Sequence, residues 1–111
     1  MLVKAYRCEN FDDICSAIAL GFTVPLGIMV DASFPNLDGE GVSPLPASKG
    51  GGHAILGVGL KRSDRFGWLV KIQNSWGRTF GLNGYCYLRR EHFRKINPDA
   101  FAIQCMSDIN G

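Results

Sequence analysis

The chain has 111 residues, of which 46% are hydrophobic and 20% are charged, so it can fold around one core and is too apolar for a disordered tail. Its net charge of +2, from 12 basic and 10 acidic residues, is too weak for the footprint of a nucleic-acid-binding domain. The longest apolar run, residues 21–30, is too short to span a bilayer, and the N-terminus lacks the pattern of a signal peptide. These features predict a single domain over residues 1–111, with no nucleic-acid partner and no membrane contact.

The first half of the chain predicts two strands around one helix. Residues 3–7 can form a short strand, and the apolar residues after them recur at helical spacing. Asn10 is a good N-cap for that helix, acidic residues occupy its first turn, and Gly21 is suited to end it. Residues 23–32 have the composition of a strand, whereas residues 33–52 are rich in Pro, Gly and Ser and predict one long loop.

The second half of the chain predicts one strand after another. The candidate strands are residues 53–60, 68–74, 84–90 and 100–106. Gly57 and Gly59 permit a bulge or a close backbone approach in the first of them, and "EHFRKI" predicts one helical turn. Four or five strands with one N-terminal helix predict an α+β fold, built on a small twisted antiparallel sheet or half-barrel.

The four cysteines do not suggest a metal or cofactor site. Cys8, Cys15, Cys86 and Cys105 are spaced unlike any metal-binding motif, although they could form up to two disulfides. We expect reduced and mostly buried thiols, with no metal and no cofactor. In "GYCYLRR", Cys86 alternates with two tyrosines, which favours a core position for a small apolar side chain.

A histidine opens one predicted strand and an asparagine closes another. In "GGGHAILGVGL", His53 precedes an apolar run, and Asn74 ends the strand of residues 68–74. If residues 61–67 turn the chain back, antiparallel pairing brings the two side chains to the same edge of the sheet. An asparagine carbonyl holds a histidine ring in one orientation, as nucleophilic catalysis requires, and Trp76 could cover the pair. The alternative is that Asn74 only caps a turn.

Three segments, "GGHAILGVGL", "WLVKIQNSWG" and "GLNGYCYLRR", occur in this order. Together they resemble the C-terminal half of a papain-like cysteine peptidase, and the resemblance covers roughly residues 11–106. The segment "GFTVPLG" is similar to that of bacterial-type or viral members, while Phe80 stands where a tryptophan is usual. The resemblance implies the barrel lobe of a papain-like fold without its helical lobe, located in the cytoplasm or in a virion.

The resemblance also implies a role for each matching residue. His53 would be the general base, Asn74 would orient it, and Trp76 would shield their contact. Three further positions would bind substrate: Met29 and Ala54 in the main specificity pocket, and Gly52 through its backbone carbonyl.

The nucleophilic cysteine is the part of the family's catalytic site that has no match in this sequence. In the family it lies in a Gln-x-x-x-Cys-x-Cys-Trp-like segment of the helical lobe, with the glutamine that forms the oxyanion hole, and these 111 residues contain no such segment. Cys15 is a poor substitute because it lies inside a predicted helix beside acidic residues, which raise the pKa of a thiol. Cys8 is no better supported.

The sequence leaves three functional hypotheses open. In the first, the chain supplies the His/Asn half of a cysteine peptidase site, and the Cys comes from another polypeptide or a missing segment. In the second, it is a catalytically inactive module that binds peptides or serves as a structural component of a larger assembly. In the third, the His53–Asn74 pair persists only as structure. The retained pair favours the first hypothesis, which implies a peptide or protein substrate.

A lone barrel lobe also predicts an uncovered surface. Apolar residues that face the helical lobe in the family would be exposed near His53, Trp76 and Met29. Since soluble monomers rarely leave large apolar patches bare, we expect this surface to be covered. The cover would be a partner polypeptide carrying the helical lobe, a second copy of the chain in a homo-oligomer, or the loop of residues 33–52.

Overall fold

The computed structural model describes residues 2–47, 51–73, 84–96 and 99–106. Its elements, in chain order, are β1 (Leu2–Cys8), α1 (Phe11–Ala19), β2 (Val24–Val30), β3 (Gly51–Ser63), β4 (Gly67–Gln73), β5 (Tyr85–Arg89), α2 (Arg90–Ile96) and β6 (Asp99–Met106). Neither of these helices is long and apolar enough to cross a membrane.

The strands form a six-stranded sheet in the order β1-β6-β2-β3-β4-β5, and every neighbouring pair is antiparallel. The predicted α+β class, with an antiparallel sheet and an N-terminal helix, is therefore confirmed. The described residues hold six strands, more than the four or five expected; the short strand predicted at residues 3–7 is the edge strand β1, which pairs with β6 along its whole length. The predicted turn "EHFRKI" is part of a second helix, α2, which begins at Arg90.

Both predicted ends of α1 are confirmed. The side chain of Asn10 accepts a hydrogen bond of 2.8 Å from the backbone N–H of Asp13, and the Asp13 carboxylate accepts one of 2.9 Å from the N–H of Glu9. These bonds satisfy donors that a helix start leaves without partners. After the helix, Gly21 adopts a φ of 94°, a left-handed conformation that favours glycine.

The core lies between α1 and one face of the sheet. The helix buries Phe11, Ile14 and Ile18 against apolar residues of the central strands. Gly57 lets the helix approach β3, since a Cβ at this position would lie 3.3 Å from the carbonyl oxygen of Val24 and 3.4 Å from Cδ1 of Ile18. The register of β3 against β4 also shifts between Gly57 and Gly59. Both predicted uses of these glycines, close approach and bulge, are confirmed.

Candidate active site

His53 lies near the start of β3, opposite Ile28 of β2. The two strands align four cross-strand pairs on the core-facing side: Val24–Gly57, Leu26–Ile55, Ile28–His53 and Val30–Gly51. Residues paired in this way project from the same face of a sheet, and burial falls along the row: the first two pairs and Ile28 are buried, His53 and Val30 are half-buried, and Gly51 is exposed. His53 therefore lies where this row passes from the core toward solvent.

The His53 ring packs against an aromatic ring from the long loop. The ring centroids of Phe34 and His53 are 5.9 Å apart, and the planes cross at 67° in an edge-to-face arrangement. Phe34 is only 3% exposed and belongs to the hydrophobic core, although it lies in a segment with the composition of a surface loop. The loop thus contributes one wall of the histidine's surroundings.

Hydrogen bonds fix the backbone on both sides of Phe34. Its N–H donates to the carbonyl of Asp31 at 3.1 Å, and its carbonyl accepts a 2.8 Å hydrogen bond from the hydroxyl of the buried Ser43. The Asp31 carboxylate, in turn, accepts a 2.7 Å bond from the N–H of Ala47, which closes the loop on itself. These contacts make residues 31–47 an ordered Ω-like loop rather than a loose connection.

The same loop extends the sheet beyond β5. The N–H of Tyr87 donates to the carbonyl of Gly41 at 2.9 Å, and the N–H of Ser43 donates to the carbonyl of Tyr87 at 3.0 Å. Between these bonds, Val42 forms a parallel bridge with Tyr87. An exposed strand edge is a site for unwanted pairing, and here the loop occupies it.

His92 of α2 connects the loop to the rest of the fold through hydrogen bonds. The residue is 1% exposed; its Nδ1 accepts a 3.3 Å bond from the N–H of Arg89, and its Nε2 lies 3.2 Å from the carbonyl oxygen of Pro44. This pair of contacts requires the neutral tautomer that carries its proton on Nε2. Burial lowers the pKa of His92 to about 4, although the carbonyl of Pro44 favours the charged form. Since both of its nitrogens are engaged, His92 is a structural residue.

The proposed substrate positions cluster around His53 on the same two strands. Met29 pairs with Gly52, and Gly27 pairs with Ala54. Gly52 and Ala54 are exposed and alternate with His53, so they lie on the other face of β3. The four positions, His53 included, are therefore neighbours along β2 and β3. They do not share one face of the sheet, because Gly52 and Ala54 lie on the face opposite His53.

Asn74 and Trp76 lie outside the described residues, so the expected Asn74–His53 hydrogen bond and its tryptophan cover stay predictions. The described part of β4 ends at Gln73, which pairs with Leu56 of β3. The structure confirms that β3 and β4 are antiparallel and joined by a turn. This is the arrangement that the prediction of a shared edge for His53 and Asn74 required. In the tight turn of residues 64–66, the hydroxyl of Ser63 accepts from the N–H groups of Arg65 and Phe66 at 3.2 Å each.

The thiols in the described part of the chain are poor nucleophiles. Burial raises the pKa of Cys15 to about 11, against a lowering by Arg90, and burial raises the pKa of Cys86 to about 12. Cys8 is buried, and Cys15 and Cys86 carry free thiols. The thiol of Cys105 lies outside the described part, so the expectation that the thiols are reduced stays a prediction. In that same part, no three His, Cys, Asp or Glu side chains meet as a potential metal site.

The expected bare apolar surface is not visible beside His53 in the described part of the chain. The large apolar side chains exposed there are Leu20, at the end of α1, and Trp68. Trp68 pairs with Arg62, at the opposite end of β3 from His53. The side chains of Met29 and Trp76 lie outside the described part, so the prediction of a covered lobe interface stays a prediction.

Comparison with known proteins identifies the family. The model of the papain family of cysteine proteases matches residues 4–104, nearly the whole chain. This chain belongs to the papain family of cysteine proteases. An uncharacterized peptidase C1-like protein of Acanthamoeba polyphaga mimivirus is 37% identical over 107 residues, and the match covers 90% of this chain but 33% of that protein. Cysteine proteinase 3 of Dictyostelium discoideum is 29% identical, and the match covers 78% of this chain and 26% of the relative.

Solved papain-family structures share this fold. Xylellain, a cysteine protease from Xylella fastidiosa, matches with a TM-score of 0.74 and 27% identity over 94% of this chain and 40% of its own. Bromelain from Ananas comosus matches with a TM-score of 0.69 and 19% identity over 92% of this chain and 50% of its own, which shows the fold alone. The chain thus spans about a third of the mimivirus relative, about a quarter of the Dictyostelium enzyme and half or less of these two structures.

Phe34, Ser43 and His92 are the residues near the site that the sequence did not predict. A phenylalanine inside a Pro- and Gly-rich stretch is a signal of a buried anchor, because an aromatic side chain is costly to leave in water. Ser43 and His92 gave no such signal, since their partners are backbone carbonyls distant in sequence.

Proposed function

We propose that this chain supplies the His/Asn half of a papain-family cysteine peptidase site, and that the Cys nucleophile comes from another polypeptide or from a segment outside this sequence. The observation that carries the proposal is the placement of His53. The half-buried histidine lies where a row of cross-strand pairs passes from the core toward solvent, and its ring packs against Phe34. A base on such a rigid support needs only a thiol delivered to it.

His53 takes the proton from the incoming thiol, so a thiolate faces an imidazolium. The thiolate attacks the carbonyl carbon of a peptide bond, and the C–N bond breaks as the imidazolium gives its proton to the leaving amine, which leaves a thioester. A water molecule then gives a proton to His53 and attacks the thioester, so the C–S bond breaks and the peptide acid and the thiolate are released. Asn74 holds the ring in position through its side-chain carbonyl, and Trp76 keeps water from that contact. Gly52 offers its backbone carbonyl to the peptide, and Met29 and Ala54 contact the peptide from the face of the two strands opposite His53. Backbone donors for the oxyanion come with the nucleophile-bearing segment.

The chemistry of two described thiols, those of Cys15 and Cys86, supports an external nucleophile. Burial raises the pKa of both Cys15 and Cys86 far above neutrality, so these thiols stay protonated. Cys86 is fully buried within β5, and Cys15 faces the core from α1. A productive attack needs an accessible thiolate within reach of the base, and neither residue meets both conditions.

A thiol-labelling experiment on the native assembly tests the proposal. The tagged chain is recovered from its source with whatever copurifies, and the material is treated with a fluorescent iodoacetamide at neutral pH. We expect rapid labelling of a cysteine on a copurifying polypeptide or on a longer form of the chain, together with cleavage of a fluorogenic peptide. Loss of a general base lowers the rate by about 100-fold or more, so His53→Gln should abolish both signals.

Arg62→Gln is the matched control, because Arg62 is an exposed residue of the same strand at the end distant from His53. It should leave labelling and cleavage unchanged. Copurification alone does not support the proposal, since a structural partner would also be recovered. Recovery of an assembly whose thiols react at the same rate with and without His53 would overturn the proposal and favour a catalytically inactive module.

A further inference from the structure

We infer that Phe34 is a positioning residue for His53, held in place by a loop latch that consists of Ser43 and His92. The inference rests on the proposed function for its catalytic meaning, because only a base needs an oriented ring. The contact itself can be tested without any peptidase activity. The three residues come from the long loop and from α2, and no signal in the sequence connects them.

The first step is the contact between the two rings. Phe34 meets His53 edge-to-face at 5.9 Å between ring centroids, an arrangement that aromatic rings prefer over a face-to-face stack. Ile28 lies directly across from His53 on the neighbouring strand. With Ile28 on one side and Phe34 on another, the imidazole has restricted freedom to rotate toward the core. Phe34 thus limits the orientations from which the ring can meet a substrate.

The second step is how Phe34 keeps its place. Loops usually change conformation more easily than strands, so a loop residue needs extra fixation to position a catalytic group. The hydroxyl of Ser43, which is 1% exposed, donates to the Phe34 carbonyl at 2.8 Å. The next residue, Pro44, offers its carbonyl to Nε2 of His92 at 3.2 Å. Two buried side chains therefore hold the backbone at neighbouring points.

The latch is also tied to the sheet. The N–H of Ser43 donates to Tyr87 in β5, and Nδ1 of His92 accepts from the N–H of Arg89 at the end of the same strand. The loop, β5 and α2 therefore form one hydrogen-bonded unit, with Phe34 at its far end beside His53. A substitution that weakens either Ser43 or His92 should therefore change the surroundings of His53 through a shift of Phe34, and not through a direct contact with the histidine.

The chain's composition gives a direct readout, since it contains two histidines. His92 is buried and His53 is half-buried, so diethyl pyrocarbonate should modify His53 first. The Cε1–H proton resonance of His53 should also carry a ring-current displacement from Phe34. We expect Phe34→Leu to remove that displacement and to speed carbethoxylation of His53. Phe34→Tyr keeps an aromatic ring, so the ring-current displacement and the carbethoxylation rate of His53 should stay close to those of the parent chain.

Phe11→Leu is the matched control for a core effect. Phe11 is as buried as Phe34, and the aromatic contact described for its ring is with Phe93. The change should lower stability comparably but leave the His53 resonance and its modification rate unchanged. Ser43→Ala removes one latch bond without enlarging the core, and should shift the His53 resonance in the same direction as Phe34→Leu. If Phe34→Leu and Ser43→Ala move His53 no more than Phe11→Leu does, the inference is overturned.

An activity measurement separates this inference from the proposed function. In an assembly that cleaves peptide, Phe34→Leu should lower kcat with little change in KM, because it disturbs the orientation of the base and not the binding of substrate. If no assembly cleaves peptide while the His53 resonance responds to Phe34, the proposed function fails and the positioning contact stands. If cleavage is present and Phe34→Leu behaves as Phe11→Leu does, the positioning role fails and the proposed function stands.

Discussion

Nε2 of His92 lies 3.2 Å from the carbonyl oxygen of Pro44, and this contact joins α2 to the loop that packs on His53. The contact requires a neutral imidazole with its proton on Nε2, because Nδ1 accepts from the N–H of Arg89. A protonated ring would lose that acceptor and would place a charge in the core beside Arg89. The position of the loop is therefore coupled to the protonation state of a residue outside the site.

We expect acid to destabilise the fold through His92. Burial lowers its pKa from 6.5 to about 4, with an opposing contribution from Glu91 and a reinforcing one from Arg89. Above pH 6.5, the neutral ring makes its full contribution to the free energy of unfolding. This contribution decreases as the pH is lowered from 6.5 and is lost below about pH 4. The maximum loss is about 3 kcal/mol.

Urea unfolding at several pH values between 7 and 4 measures this loss, and His92→Gln removes the titrating group. The parent chain should lose more unfolding free energy than the variant over that range. Equal pH dependence in the two proteins would show that His92 does not carry the acid sensitivity.

The closed loop depends on Asp31. Its carboxylate accepts from the N–H of Ala47 at 2.7 Å and from the N–H of Ser33 at 2.9 Å. Asp31→Ala removes both hydrogen bonds to the carboxylate and should lower stability by about 1–3 kcal/mol. Hydrogen exchange at Ala47 should accelerate, whereas Asp64→Ala, in the exposed turn after β3, should leave it unchanged. An unaltered exchange rate in the Asp31 variant would contradict the loop closure.

The close approach of α1 to β3 depends on Gly57. An added methyl group would lie 3.3 Å from the carbonyl oxygen of Val24 and 3.3 Å from Cγ1 of Val70. Gly57→Ala should therefore destabilise the chain by about 1–3 kcal/mol. Gly27→Ala is the control, because a methyl group added there would meet no described atom within 4 Å. Thermal melting should show a lower Tm for the first variant only; equal Tm values would contradict this packing.

The ends of α1 and most strands could be predicted because their signals are local. Asn10 caps the helix and Gly21 ends it through contacts with residues a few positions away, and alternating apolar residues mark the strands. The surroundings of His53 could not be predicted in the same way. Phe34 reaches the histidine only because Ser43 and His92 hold the loop from a distance, and tertiary contacts of this kind leave no period in the sequence.

The motifs in the sequence indicate the family, but they do not indicate what surrounds the motif residues in the fold. "GGHAILGVGL" identified His53, while the division of Gly52 and Ala54 onto the opposite face of β3 became visible only with the register of the sheet. The second helix was underestimated because α2 is short and its apolar face is limited to a few residues. Its role as an anchor depends on His92, whose partner belongs to the loop.

The isolated chain should have no peptidase activity. In the described part of the chain, Cys15 and Cys86 do not offer His53 a reactive thiol, because burial raises the pKa of Cys15 to about 11 and that of Cys86 to about 12, which leaves both protonated at neutral pH. Labelling by a thiol-directed peptidase inhibitor should be slow and equal in the parent chain and in His53→Ala. Peptide cleavage by the purified chain that disappears in Cys15→Ser would contradict the assignment of Cys15 to the core side of α1.

The pairing of His53 with Asn74 is the central claim, and a high-resolution crystal structure of the chain tests it most directly. We predict that the side-chain oxygen of Asn74 lies within hydrogen-bonding distance of a ring nitrogen of His53, at about 2.7–3.2 Å, with Trp76 packed over the contact. A structure that places the Asn74 and His53 side chains on opposite faces of the sheet would contradict both the pairing and the catalytic role derived from it.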